Sequence, residues 1–138
     1  MESKDDRYVE FSLAGVHFEY DAEKNKKNIE KHGISFKSAA RVFFDYDRIE
    51  YYDEEASSDE ERFDIIGDLS AGNINLYSKK DSTIYGNAGK DDVVFVVYTE
   101  RVKRMRNQEE VEVIRIISAR YATSFERGIY YGKYWYNF

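Results

Sequence analysis

Five charged residues stand in or at the ends of the segments richest in β-branched and aromatic residues: Arg62, Glu100, Arg101, Arg115 and Arg120. A guanidinium is a planar fork of donors that matches two oxygens of a phosphate. Several arginines beside one glutamate would suit cleavage of a phosphodiester by its own neighbouring 2′-hydroxyl. A base must take the 2′ proton, cations must stabilise the charge gathering on phosphorus, and an acid must protonate the leaving 5′ oxygen. Glu100 is the candidate base, and His32, which titrates near neutrality, could exchange protons. A structural reading competes with this one. A guanidinium on a strand that is apolar on both faces is costly unless it is paired or reaches a groove. Arg115 would then pair with a buried carboxylate such as Asp64 or Glu100, and Arg120 with a terminal acid. His32, beside Gly33, would complement a helix dipole.

The elements that must position these residues follow from periodicity and caps. Val16, Phe18 and Tyr20 alternate as a first strand within Val9 to Tyr20, with Gly15 as a turn signal. Asp21 is an N-cap for a Lys- and Asn-rich helix ending near His32, and Gly33 suits the left-handed C′ position. Ser35 caps a second helix, in which Phe36, Ala39, Ala40 and Phe43 form a core-facing stripe. Further strands are expected at Arg48 to Asp53, Arg62 to Leu69, Val93 to Arg101 and Val111 to Arg120. The fourth of the five, Val-Val-Phe-Val-Val-Tyr, reads as central. Thr123-Ser-Phe-Glu126 is a capping-box signature for a final helix with an aromatic tail from Tyr130 to Phe138. The segment Ala71 to Asp92 reads as an insertion with a small hairpin, Ile74 and Leu76 facing Thr83 and Tyr85. Alternation places Arg115 with Val113 and Ile117, and Arg120 with Ile114 and Ile116. The two arginines therefore line opposite faces unless a bulge or the strand end turns Arg120. Arg120, at a strand end, ranks with Arg62 and Arg101 as groove residues, and Arg115, within its strand, as the most structural.

Composition narrows the function classes. The 138 residues fit a single domain, 1–138, with residues 1 to 7 frayed. There is no cysteine, which excludes disulfides, thiolate zinc sites and a cysteine nucleophile, and the 2 histidines make a histidine-rich metal site unexpected. No cofactor is expected. No apolar run reaches the length of a membrane span and the charged N-terminus opens no signal sequence, so the expectation is a cytoplasmic protein without membrane contact. The formal charge is −6, but it is uneven: residues 1 to 60 hold 16 acidic against 9 basic residues, while Tyr98 to Lys133 holds 8 basic against 5 acidic. A local basic face can bind phosphate on an acidic protein.

An ordered set of short blocks carries a family resemblance: Phe18-Glu-Tyr-Asp21, Lys31-His-Gly-Ile-Ser-Phe36, Ala39 to Asp45, Glu61-Arg-Phe63 with Ile66-Gly67, Tyr98-Thr-Glu-Arg101, Ile114-Arg-Ile-Ile-Ser-Ala-Arg120, Ala122-Thr123 and Glu126-Arg127. The set resembles the BrnT family, the toxin half of a bacterial type II toxin–antitoxin pair. It covers roughly Phe18 to Arg127, interrupted at Ala71 to Asp92 and Val102 to Glu110, and has Tyr20 where a Trp is usual. The resemblance implies an α+β, RelE-like fold: two N-terminal helices on an antiparallel sheet of about four to five strands, plus a C-terminal helix. It implies a ribosome-independent, metal-free endoribonuclease that arrests growth. It also implies a BrnA-like antitoxin as protein partner, RNA as substrate, and DNA contact only through the antitoxin. Carried over by motif, the active residues fall on Arg62, Arg101, Arg115 and Arg120, with Glu100 and His32 in support. The alternative is a non-catalytic homologue that keeps only a protein- or operator-complex-binding role.

Overall fold

In the computed structural model, residues 6–70 and 92–132 are described. The expected hairpin between Ala71 and Asp92 and the tail beyond Gly132 lie outside those residues, Asp92 itself excepted.

The chain opens with a hairpin, β1 (Tyr8–Leu13) and β2 (Val16–Asp21). Ala14 and Gly15 join them with φ of 49° and 83°. Positive φ at both central residues is the type I′ geometry, whose twist matches the strands it joins. The turn signal at Gly15 thus separates two strands where one was expected. Arg7, expected to fray, has its carbonyl held by the Ala22 amide at 2.8 Å.

Helix α1 (Ala22–His32) starts where Asp21 accepts hydrogen bonds from the Glu23 and Lys24 amides, and it ends at Gly33, φ 74°. Helix α2 (Phe36–Ala39) is a single turn capped by Ser35 and continues as a 3-10 turn, Ala40–Phe44. The Asn25 side chain accepts from the Phe36 amide at 2.8 Å and so fixes the angle between the two helices. Gly67 lets the 3-10 turn press on the sheet, since a Cβ there would lie 2.9 Å from Val42 Cβ.

Four strands follow: β3 (Ile49–Tyr52), β4 (Phe63–Asp68), β5 (Val93–Arg104) and β6 (Glu110–Tyr121), and then α3 (Ser124–Tyr130). They form one six-stranded sheet in the order β1-β2-β6-β5-β4-β3. The expected sheet was antiparallel with four to five strands. The sheet is larger, and its β2–β6 pair is parallel, His17 to Tyr20 running beside Val113 to Ile116. The interruption expected at Val102 to Glu110 is partly strand, because β5 and β6 pair out to Arg104 and Glu110 and leave only the turn between them.

The two faces are covered differently. Helices α1 and α2 bury Phe18, Tyr20, Ile65, Val94, Val96, Tyr98, Ile116 and Ala119 against Ile34, Phe36, Ala39, Ala40 and Val42. On the opposite face, α3 packs Ile129 and Tyr130 over Ile49, Ile66, Val93, Phe95 and Ala122. Tyr130 Oη donates to buried Asp45 at 2.6 Å, which ties the end of α3 to the body. Beyond α3 this second face is polar, and it carries the candidate site. Among the described residues no helix is long and apolar enough to cross a membrane.

Candidate active-site face

The position of the arginines turns on one irregularity. Tyr98 pairs with Ile116, but Val97 pairs with Ser118, so Ile117 is an extra residue on β6. This β-bulge inverts the alternation of everything that follows it on the strand. Arg115 lies opposite Thr99 and Arg120 opposite Phe95, two residues on the same face of uninterrupted β5. The expectation that Arg115 and Arg120 face opposite ways, with Arg120 beside Ile114 and Ile116, is therefore corrected. Both point away from α1 and α2. Arg62 precedes Phe63, whose partner is Tyr98, so it neighbours Thr99 on this face, and Arg101 follows two residues beyond Thr99. All four candidate arginines share one face.

Each is held by a carboxylate. Arg115 Nε donates to Glu19 Oε2 at 2.7 Å, and its guanidinium lies 4.0 Å from the centroid of the Tyr8 ring. The partner of Arg115 is thus Glu19, not Asp64 or Glu100. Glu19 is fully buried and also ion-pairs with Lys103, which reaches Glu10 at 2.8 Å. Burial works against the Glu19 charge, but Lys103 and then Arg115 outweigh it and hold the carboxyl below its usual range. A pair this enclosed fits the structural ranking given to Arg115.

Arg120 is stacked on the Phe95 ring at 4.3 Å and bound through both Nη atoms to the Glu126 carboxylate at 2.8 and 2.9 Å. Glu126 does two jobs, because its Oε1 also accepts from the Thr123 amide in the capping box expected from the sequence. Burial opposes the Glu126 charge, while Arg120 and the Thr123 amide hold the carboxyl below its usual range. Arg120 thus meets a terminal acid, as the structural reading expected, and keeps a third of its side chain exposed.

Between the Arg62–Arg115 row and Arg120 lies a row of Tyr51, Asp64, Val97 and Ser118, none of which was read from the sequence as a site residue, although Asp64 was expected to be buried. Asp64 is 3% exposed, and its Oδ1 has no hydrogen-bond partner in the structure. Burial first, then the hydrogen bond and charge of Asp53 and the charge of Glu126, push its carboxyl up to about 7, against a lowering hydrogen bond from Tyr51. The Tyr51 hydroxyl is pushed up to about 12 by burial and the same carboxylates. Alternation in Glu50-Tyr-Tyr and Phe63-Asp-Ile was the available signal, but it required knowing which face was polar.

The two supporting residues sit differently. Glu100 pairs with Ile114, so it projects to the helix side of β5, away from the arginines. It lines a cavity of about 260 Å³ at the edge where β4 begins, shared with Glu60, Glu61, Phe63, Thr99 and Arg101, and a second cavity beside Glu110 to Ile114. Glu100 is not brought among the arginines. His32, at the end of α1, lies near enough to Arg120 to feel its charge. The parallel pairing of β2 with β6 stops at Tyr20, beside Ile116, and α1 covers the β6 edge beyond. There Asn28 acts as a substitute strand, its Nδ2 donating to Ala119 O at 2.8 Å and its Oδ1 accepting from Ala119 N at 3.3 Å. His32 lies one helical turn further on. Desolvation, then the charges of Lys31 and Arg120, hold its imidazole below the usual range.

Residues 20–79 match the family model described as ribonuclease toxin, BrnT, of type II toxin-antitoxin system. The match bears out the resemblance read from the motifs. It contains His32, Tyr51, Arg62 and Asp64, and it ends before Glu100, Arg101, Arg115 and Arg120. No curated protein matches the chain.

Proposed function

On the premise of that family match, we propose that this chain is an endoribonuclease toxin that cleaves RNA through attack of a 2′-hydroxyl on the adjacent phosphate. The observation that carries the proposal is the gathering of Arg62, Arg101 and Arg120 on one sheet face, around a carboxyl whose proton is lost near pH 7. The arginines would bind the phosphodiester and stabilise the charge that builds on its oxygens. His32, neutral at pH 7, is the group suited to accept the 2′ proton. Asp64 is half-protonated near that pH and suited to supply a proton toward the leaving 5′ oxygen, relayed through the neighbouring Tyr51 hydroxyl. The P–O5′ bond breaks as O2′ bonds to phosphorus, leaving a 2′,3′-cyclic phosphate and a 5′-hydroxyl. Within the same proposal a BrnA-like protein neutralises the toxin, the fold is RelE-like, and the chain works in the cytoplasm.

The test is purified protein with a synthetic single-stranded RNA in EDTA. Expected are cyclic-phosphate ends, lost by at least tenfold in Arg62→Ala, Arg101→Ala and Arg120→Ala. Arg115→Ala should lose thermal stability instead. Because all four candidate arginines are already paired with a carboxylate, a binding-only role is the competing reading. Intact RNA together with tight binding of the antitoxin would establish it.

A further inference from the structure

The acidic loop between β3 and β4 returns a carboxylate to the arginine face. Glu60 Oε2 lies 3.6 Å from Arg62 Nη2, and Glu60 Oε1 lies 3.5 Å from Arg101 Nη1. One carboxylate thus spans two guanidiniums, one oxygen to each. The backbone around it is fixed rather than trailing. The Asp53 amide donates to Arg62 O at 2.9 Å, the Arg62 amide donates to Ser57 Oγ at 2.9 Å, and Thr99 Oγ1 donates to Glu61 O at 2.6 Å. The two ion pairs themselves are loose. They are longer than the 2.7–2.9 Å of a charge-assisted hydrogen bond, and all three side chains are about a third or more exposed. Arg62 Nε is buried without a hydrogen-bond partner, so the Glu60 contact leaves part of that donor fork unused.

Two anionic oxygens held between two guanidiniums reproduce the disposition of the two non-bridging oxygens of a phosphodiester. We propose that Glu60 is an internal competitor for the RNA phosphate: it holds Arg62 and Arg101 in place in the unliganded protein and is displaced when RNA binds. Resting on the ribonuclease reading, the inference makes Glu60 a specificity-determining residue. A single phosphate competes poorly with a tethered carboxylate. A chain of phosphates that also meets Arg120 can displace it. On an acidic protein this raises the charge density a ligand needs before it is admitted.

The experiment is fluorescence anisotropy with a labelled, fully 2′-O-methylated single-stranded RNA, which binds but has no attacking hydroxyl. Wild type, Glu60→Gln and the triple variant Glu60→Gln/Arg62→Ala/Arg101→Ala are compared at about 0.15 M salt, with cleavage of ordinary RNA measured in parallel. Two exposed ion pairs removed predict binding about three- to tenfold tighter for Glu60→Gln, a gain lost in the triple variant. Inorganic phosphate should bind Glu60→Gln measurably and wild type not at that concentration. Equal or weaker RNA binding by Glu60→Gln overturns the inference, and if wild type still cleaves, the ribonuclease reading survives. Tighter binding with no cleavage by any protein overturns the ribonuclease reading and leaves the role of Glu60. A gain seen only with an Asp- and Glu-rich peptide overturns the inference in favour of a protein ligand, and no RNA binding by any variant overturns both.

Discussion

Asp64→Asn tests the unusual carboxyl directly, through stability rather than activity. The substitution keeps shape and hydrogen-bonding capacity and removes the titration, and the Asp53 carboxylate can accept from the new amide. Burial pushes the Asp64 carboxyl up to about 7 in the folded protein, from the 3.8 of an ordinary aspartate. A group whose pKa is raised on folding contributes stability that is fully present below its unfolded value and is lost as pH rises through its folded value. Wild type should therefore lose stability relative to Asp64→Asn between about pH 4 and pH 8. At roughly 1.4 kcal/mol per unit, a shift of about three units sets a ceiling of about 4 kcal/mol. His32, whose pKa is lowered, titrates in the opposite sense, and Glu19 and Glu126 lose their contributions only at acid pH. All three are present in both proteins, so the difference between the two curves isolates Asp64. Urea unfolding at constant m from pH 4 to pH 8 measures it. The variant should match wild type near pH 4 and exceed it by several kcal/mol at pH 8. A difference that stays constant across this range would mean that Asp64 is ionised throughout, and would remove it as a proton donor.

Glu126→Ala deletes a capping-box acceptor and the bidentate partner of Arg120 together, so a loss of about 2–3 kcal/mol is expected, read as a lower thermal midpoint. Asn28→Leu should cost about 2–4 kcal/mol, because it strips hydrogen bonds from Ala119 N, Ala119 O and Ile34 O inside the core. Amide exchange at Ala119 should rise with it. Ala14→Gly is expected to stabilise by about 0.5–1 kcal/mol, since Ala14 holds a left-handed φ that a Cβ disfavours. An unchanged urea midpoint would count against that reading of the turn.

The local signals in the sequence were dependable where the physics is local. Asp21, Gly33, Ser35 and Thr123 with Glu126 cap the expected helices because a cap is decided by a few neighbouring residues. The second helix was read too long, since its stripe through Phe43 is equally satisfied by one α turn and a 3-10 turn. Pairings across the chain were not legible. Arg115 and Glu19 are separated by 96 positions, and only the parallel β2–β6 register brings them together. Glu60 is one acid among several between Asp53 and Glu61, and nothing in that segment says where the loop returns. The bulge was invisible for a different reason. Val-Ile-Arg-Ile-Ile-Ser contains no glycine, and any of its residues tolerates a strand.

Ile117 is best regarded as a phase slip in a wave of period two. Substituting it leaves the phase alone, so almost any side chain there keeps Arg115 and Arg120 facing together. Deleting it would leave Arg115 and Arg120 an even number of positions apart, a spacing that a regular strand also puts on one face, with Ser118 still opposite Val97 and Arg120 opposite Phe95. What the face cannot survive is the full-length strand paired without the slip, because Ser118 to Tyr121 would then turn over and Arg120 would enter the helix-side core. The bulge and the odd spacing of the two arginines are therefore tied to each other. Relatives that keep the odd spacing should keep the bulge, and relatives one residue shorter there should lack it.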